Sequence, residues 1–362
     1  MKILLISSQW APKNQTGLGF ASLQHFKYLI DQGYNVKCVS LDDDSKDYNL
    51  RIKSKINFIL NFRKKIKEIK NIINNVQPDT IIVESLQSFI SEIFLYYAFK
   101  INCRTILISH GVSIVPYKMS FKYIFRFLIY LFYLPILIYL TKKIDILYTL
   151  KKKEYDLRHL DTIFFSIFNK KKKIIKYNNT SRFKFSQMIE KKKYNVRYFL
   201  CIGYLNDIKN QKIIIKIARK NKLLNFRIVY SSYDAKYFEE LNKSITKYNL
   251  KNIKLIDSKE TDIRYELKNC ISIINTSITE VQPLSILEGF SYGKTYISGN
   301  IKNLTHLKCG INCKNLEQLI FNLNSLNENL NFVSDVEISV FDYYYEKFTT
   351  EINSKKFNLN EL

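Results

Sequence analysis

The sequence predicts an α/β protein made of two doubly wound, parallel-sheet domains in tandem. Three observations carry this. Short apolar runs alternate with helix-periodic stretches along the 362 residues, the pattern of parallel strands joined by crossover helices. The alternation comes in two series, separated by a basic and weakly periodic stretch, Lys151–Lys193. The length is about two to three ordinary domains. With 46% hydrophobic and 25% charged residues, the composition is that of a packed chain and excludes disorder.

In the first series, Lys2–Ser7 reads as a buried strand, followed by a glycine-bearing loop to Gly19, a helix over Phe20–Gln32, a closing Gly33 and a strand over Asn35–Leu41. That is one βαβ unit. A basic helix over Phe62–Asn75 then leads through Pro78-Asp79 into a strand over Thr80–Glu84. A helix over Phe89–Phe99 and strands over Thr105–His110 and Asp145–Thr149 follow. The second series has strands over Tyr198–Ile202, Arg227–Tyr230, Ile253–Ile256, Ile271–Asn275 and Thr295–Ser298. Its helices are expected over Gln211–Lys220, Ala235–Tyr248, Asp262–Lys268 and Pro283–Tyr292, with a last amphipathic helix over Phe341–Ile352. No repeat of 20–50 residues is visible, which excludes a solenoid. The expected domains are 1–190 and 191–340, facing each other across a cleft.

Glycine is scarce: nine, where ordinary usage would give about 25. Each one left is expected to hold a backbone position that other residues fill poorly. The net charge of +25 invites a nucleic-acid reading. Against it, the 57 basic residues are 47 Lys and ten Arg, and Arg is the preferred fork for bases and phosphates. No nucleic-acid partner is expected. The charge is concentrated in Lys142–Arg197, with 17 basic and 5 acidic residues. A solvated face and a surface for anionic lipid or a phosphorylated substrate both fit that concentration.

The six cysteines include no Cys-x-x-Cys, and the four histidines form no cluster in sequence, so no metal site is expected. The triple Asp42-Asp43-Asp44 reads as a solvated loop. The apolar start is too short for a signal peptide. Phe127–Thr141 holds 15 residues without a charge, flanked by Lys122, Arg126, Lys142 and Lys143. As a helix it would span about 22 Å, short of a bilayer core, and Pro135 interrupts it. A helix lying partly in a membrane interface and a buried or dimer-forming helix are the two readings.

The most specific chemistry lies in Thr276–Ser298. A strand runs into a loop carrying Glu280, Pro283 opens a helix, and Glu288 lies eight residues after Glu280 inside it. The main-chain N–H groups of Leu284 and Ser285 start that helix and suit an anion. Two carboxylates for sugar hydroxyls beside N–H groups for a diphosphate are the inventory for gripping a nucleotide sugar.

The segment E-V-Q-P-L-S-I-L-E-G-F-S-Y-G-K closely resembles the Glu-x7-Glu motif of retaining glycosyltransferases of family 4. Other segments resemble that family in order: the opening strand and glycine loop, QPDTIIVES, ILISHG, KKIIKYNN before the linker, FLCIGYLNDIKNQ opening the second domain, and the terminal helix FDYYYEKFTTEI, whose likeness implies that 341–362 crosses back onto the first domain. The resemblance implies the GT-B fold, two Rossmann-like domains, and a surface-polysaccharide glycosyltransferase of bacterial type, with O-antigen, capsule or lipopolysaccharide as its setting. It implies Glu280 at the donor sugar, Glu288 at the ribose, and Leu284 and Ser285 at the diphosphate. Lys209 would neutralise the diphosphate, His110 would contact the sugar, and Gly17 and Gly19 would let the first loop approach phosphate and acceptor.

The chain departs from the family at Tyr204, where an Arg is expected, and at Asn210, where a Gly is usual. Lys212, one helical turn from Lys209, is the compensating cation expected beside Tyr204. The partners implied are a nucleotide-sugar donor as substrate, a lipid-linked saccharide acceptor and the anionic membrane surface; no cofactor and no metal are implied. The expected location is cytoplasmic, peripheral to the inner face of the cell membrane. A catalytically silent GT-B scaffold and a basic nucleic-acid binder are the alternatives.

Overall fold

The computed structural model describes the chain except residues 11–15, 41–46, 51–60, 113–120, 151–158, 184–196, 281, 300–303, 305–306 and 362. The expectation for Asp42–Asp44 falls outside the described residues, as do parts of the basic stretch Lys151–Lys193. Two compact units are present, Met1–Tyr177 with Asn353–Leu362, and Asn178–Ile352.

The first unit runs β1 (Lys2–Ser7), α1 (Gly17–Asp31), β2 (Asn35–Ser40), β3 (Tyr48–Asn49), α2 (Phe62–Val76), β4 (Thr80–Glu84), α3 (Ile90–Lys100), β5 (Arg104–Ser109), α4 (Phe121–Lys143), β6 (Ile146–Thr149), α5 (Leu160–Phe168) and β7 (Lys173–Lys176). Its strands form one parallel sheet in the order β3-β2-β1-β4-β5-β6-β7. The central strands are apolar on both faces because helices cover both; Leu4, Ile6, Val83 and Leu107 pack with Ile69, Phe94 and Leu137 in one core. α1 starts where the Thr16 hydroxyl accepts from Gly19 N at 3.1 Å. Gly33, at φ +79°, closes it in the left-handed conformation.

α4 is longer than the apolar stretch suggested, and its two sides differ. Tyr133, Leu137 and Leu140 are buried, while Leu128, Leu131, Phe132, Ile136 and Tyr139 are exposed. Pro135 lies inside the helix, where it removes one ladder bond. Among the described residues, no helix is long and apolar enough to cross a membrane. Beyond its end, the Lys172 ammonium donates to the Lys143 and Ile144 carbonyls at 3.0 and 2.7 Å, so one lysine of the basic concentration caps a helix.

The second unit runs β8 (Phe199–Ile202), α6 (Lys212–Lys220), β9 (Phe226–Tyr230), α7 (Ala235–Lys247), β10 (Ile253–Asp257), α8 (Ile263–Asn269), β11 (Ile273–Asn275), α9 (Leu284–Phe290), β12 (Tyr296–Ser298), β13 (Gly310–Asn312), α10 (Leu316–Glu328) and α11 (Leu330–Phe348). Its sheet is also parallel, in the order β10-β9-β8-β11-β12-β13. Gly289 lets α9 lie directly on β11: a Cβ there would sit 2.5 Å from Ile273 Cγ1.

The unit limits differ from the expected 190/191 and 340/341. Ser181 N donates to the Tyr344 hydroxyl at 3.1 Å and Arg182 binds Glu288, so the segment after Tyr177 belongs with the second core. The terminal helix also starts earlier, and its stripe Val333, Glu337, Val340, Tyr344 and Phe348 is buried in the second unit. Glu337 hides that stripe in the sequence; its charge is met by an ion pair with buried Lys294. Only the residues from Asn353 onward join the first unit, where Phe357 is buried.

Both sheets share one topological feature. In each, the chain lays two strands to one side of its first strand and then turns back to add the rest on the other side. The reversal falls between β1 and β4 in the first unit and between β8 and β11 in the second. The carboxyl ends of strands at such a reversal open a crevice that suits ligands.

Candidate functional site

In the second unit, two loops leave the sheet at its reversal point. The loop after β8 folds back on Asn206, whose side chain accepts from Lys209 N at 2.8 Å. Asn210 then takes φ +54°, the left-handed conformation that a Gly would otherwise supply and that Asn tolerates. The loop after β11 is zipped to the first. Ile278 N donates to the Ile208 carbonyl at 2.8 Å, and the Thr276 hydroxyl to the Lys209 carbonyl at 2.9 Å.

This brings Lys209 and Glu280 into an ion pair, and the Ser277 hydroxyl donates to the same Glu280 oxygen at 2.7 Å. Glu280 is 11% exposed and Lys209 32%, so the pair faces outward from a tight base. Lys209, Asn275, Thr276, Ser277 and Ser285 line a small cavity there. Pro283 precedes α9, and the Leu284 and Ser285 N–H groups open its first turn, half-buried. A cation, a carboxylate, hydroxyls and main-chain donors thus converge at one sheet end.

Glu288 lies deeper, 2% exposed. Arg182 meets both of its oxygens, Nε to Oε1 at 2.6 Å and Nη2 to Oε2 at 3.2 Å. Burial raises the Glu288 carboxyl above its ordinary range despite the opposing guanidinium. Gln282 anchors the segment between the glutamates: its side chain donates to Asn178 Oδ1 at 3.0 Å, and its carbonyl accepts from Asn179 Nδ2 at 3.2 Å.

In the first unit, Glu84 ends β4 beside Ser7 at the end of β1. It is fully buried and accepts from His25 Nδ1 at 2.7 Å and His110 Nε2 at 2.8 Å. Burial works against its charge, but the His25 imidazole and hydrogen bonds from both rings prevail and hold the carboxyl down to about 2. Among the described residues, this is the one group of three His, Cys, Asp or Glu side chains whose ligand atoms lie within 4.8 Å. Both carboxylate oxygens already have an imidazole N–H at hydrogen-bond distance.

The sequence expectations are therefore sorted by geometry. Lys209, Glu280 and Ser285 share the cavity region, with Leu284 next to Ser285. Glu288 is turned to Arg182 rather than toward solvent. Lys212 pairs with Glu240, has Asp207 at 3.8 Å and lies over the Tyr237 ring, so its ammonium is committed to other partners. The helical-turn spacing from Lys209 does not apply, because Lys209 precedes the left-handed Asn210 and α6 begins only at Lys212. Tyr204 is half-buried, and its carbonyl accepts from Gln211 Nε2 at 2.9 Å. Gly17 is exposed at the start of α1; Gly19 is buried, with its N–H taken by the Thr16 cap rather than offered to a phosphate. His110 is drawn into a triad whose other members, His25 and Glu84, the sequence did not single out, and Arg182 was likewise missed. A carboxylate ending an otherwise apolar strand was the available signal for Glu84.

Residues 182–309 match the family model described as Glycosyl transferases group 1. Comparison with curated protein sequences gives no match. Among solved structures, sucrose-phosphate synthase from Thermosynechococcus elongatus superposes with a TM-score of 0.76 at 11% identity, covering 100% of this chain and 98% of that one. WaaG, a glycosyltransferase involved in lipopolysaccharide biosynthesis, gives 0.72 at 13%, with 98% of each chain covered. The fold is GT-B. A third GT-B neighbour is an S. aureus TarM variant in complex with fondaparinux, alpha-GlcNAc-glycerol and UDP, at 0.71 and 12%, again with 98% of each chain covered. At these identities the likeness is one of fold. The matched segment opens at Arg182 and includes Lys209, Glu280 and Glu288.

Proposed function

We propose that this protein is a retaining hexosyltransferase that moves a sugar from a nucleotide-sugar donor to a lipid-linked saccharide acceptor in surface-polysaccharide assembly. The observation that carries the reading is the Lys209–Glu280 pair at the reversal point of the second sheet, inside the segment that matches group 1 glycosyl transferases. In this reading, Lys209 stabilises charge on the departing diphosphate, with Leu284 and Ser285 N–H groups beside it. Glu280 takes hydroxyls of the donor sugar, and the ribose exchanges for Arg182 at Glu288. His110 contacts the sugar. The neighbours' printed ligands and pathways, UDP and lipopolysaccharide among them, support the donor class and the setting by analogy.

The test is a screen of nucleotide sugars, with membrane lipid extract as acceptor, for nucleotide release. Turnover with one donor is expected, and Lys209→Ala or Glu280→Ala should each lower it on the order of 100-fold or more. Absence of turnover with every donor would favour the silent scaffold, which Tyr204 motivates because Lys212 is engaged with Glu240.

Membrane contact is part of the proposal. The exposed row Leu128, Phe132, Ile136 and Tyr139 on α4 ends at Lys142 and Lys143, an apolar face with a cationic rim suited to an anionic bilayer surface. Sedimentation with anionic vesicles should carry the protein down, and Phe132→Ser with Lys142→Gln and Lys143→Gln should leave most of it in the supernatant. Equal sedimentation of both would remove membrane contact from the reading.

A further inference from the structure

The triad in the first unit has a dry end and a wet end. His25 is 2% exposed, its ring stacked on Phe357 with centroids 4.9 Å apart and met edge-on by Tyr177 at 5.2 Å. Tyr28 completes its surroundings. Glu84 is sealed beneath it, and of the three only the His110 side chain, 16% exposed, reaches solvent. An ionised carboxylate can only accept, so both nitrogens that face it carry hydrogen: His25 Nδ1 and His110 Nε2. In a neutral imidazole, a proton fixed on Nε2 makes Nδ1 an acceptor.

We propose that Glu84, steadied by His25, is the positioning residue that fixes the ring and tautomer of His110, so that His110 Nδ1 stands ready to accept from a ligand hydroxyl. His25 does this by occupying the second Glu84 oxygen, which prevents the carboxylate from swinging away from His110. The stack on Phe357 holds His25 in turn. The proposal rests on the reading of His110 as a contact to the donor sugar, because a sugar hydroxyl is the donor that such an acceptor would meet.

The test uses the full chain labelled with 15N at histidine, with the His110 signals assigned by their loss in His110→Asn. At a pH where the ring is neutral, long-range 1H–15N correlation should show His110 protonated on Nε2 and bare on Nδ1. In Glu84→Gln that pattern should give way to a mixture of tautomers. With a donor identified by the screen, the same variant should lower kcat about tenfold or more while KM changes less than about threefold. His25→Gln, whose amide can donate to the same oxygen, should keep the wild-type His110 pattern and more activity than His25→Leu. If Glu84→Gln does not fold, the two His25 variants decide the question by the same signals. An unchanged His110 pattern in Glu84→Gln, or in His25→Leu if that variant must decide, would overturn the proposal. So would stoichiometric zinc bound by the purified protein and lost in Glu84→Gln. Should no donor turn over, the transferase reading fails, but the tautomer result still shows whether Glu84 orients His110.

Discussion

Each unit buries a glutamate at its core, Glu84 in the first and Glu288 in the second, and the two carboxyls respond in opposite directions. Glu84 gives each oxygen its own imidazole N–H, and its carboxyl is held down to about 2. Glu288 has a full guanidinium at both oxygens, yet burial prevails and its carboxyl is raised. The formal charge of the partner does not decide the outcome. What decides it is whether hydrogen bonds and charge together exceed the cost of removing the carboxylate from water.

Removing Arg182 should separate the two units most. In Arg182→Met the Glu288 carboxylate loses its counter-charge, and the second unit should lose about 3–5 kcal/mol. Far-UV circular dichroism in urea should show an early transition. The fluorescence of Trp10, the single tryptophan, buried against Phe26 in the first unit, should keep its wild-type midpoint. Coincident shifts in both signals would mean that the units unfold as one and that the contrast is not local.

Acid should distinguish the units next. The Glu84 carboxyl is depressed from 4.5 to about 2, so its contribution is fully present above the ordinary carboxylate range and is lost as pH falls from there toward 2. The first unit should lose about 3 kcal/mol across that window, read by Trp10 fluorescence, and Glu84→Gln should flatten the dependence. Glu288 has the reverse sign: its raised carboxyl means that the ionised form is the disfavoured one, and lowering pH relieves it. The smallest effect belongs to Lys212→Met. Its pair with Glu240 is exposed on both sides, 38% and 43%, and urea midpoints should move by less than about 1 kcal/mol.

What the sequence made legible was local. Apolar runs placed the principal strands, and the loop-to-helix pattern around Pro283 singled out Glu280, which the structure sets against Lys209. What stayed hidden was pairing across long sequence separations. Glu84 lies 59 residues from His25, and Arg182 lies 106 from Glu288. A residue's own periodicity reports its face but not its partner, so His25 read as one more helix residue and Glu288 as a ligand group without a counter-ion. The short strand β13 and the Asn-rich helix α10 escaped for a related reason. Three residues carry too little pattern, and polar asparagines obscured the buried row Leu319, Leu323 and Leu326.

The return of the chain to the first unit also has a consequence in time. Phe357 stacks on both His25 and Tyr148, the Tyr148 hydroxyl donates to the Lys356 carbonyl at 2.7 Å, and Arg104 Nη1 donates to the Leu359 carbonyl at 3.0 Å. These residues follow the whole second unit in the chain. A ribosome therefore has to finish the second unit before the first can close over its histidine triad, and during that interval the surface under Phe357 is uncovered. Folding of the earlier half is completed by the later one, so release of a chain that stops before Phe357 would leave the first unit with its triad open to water.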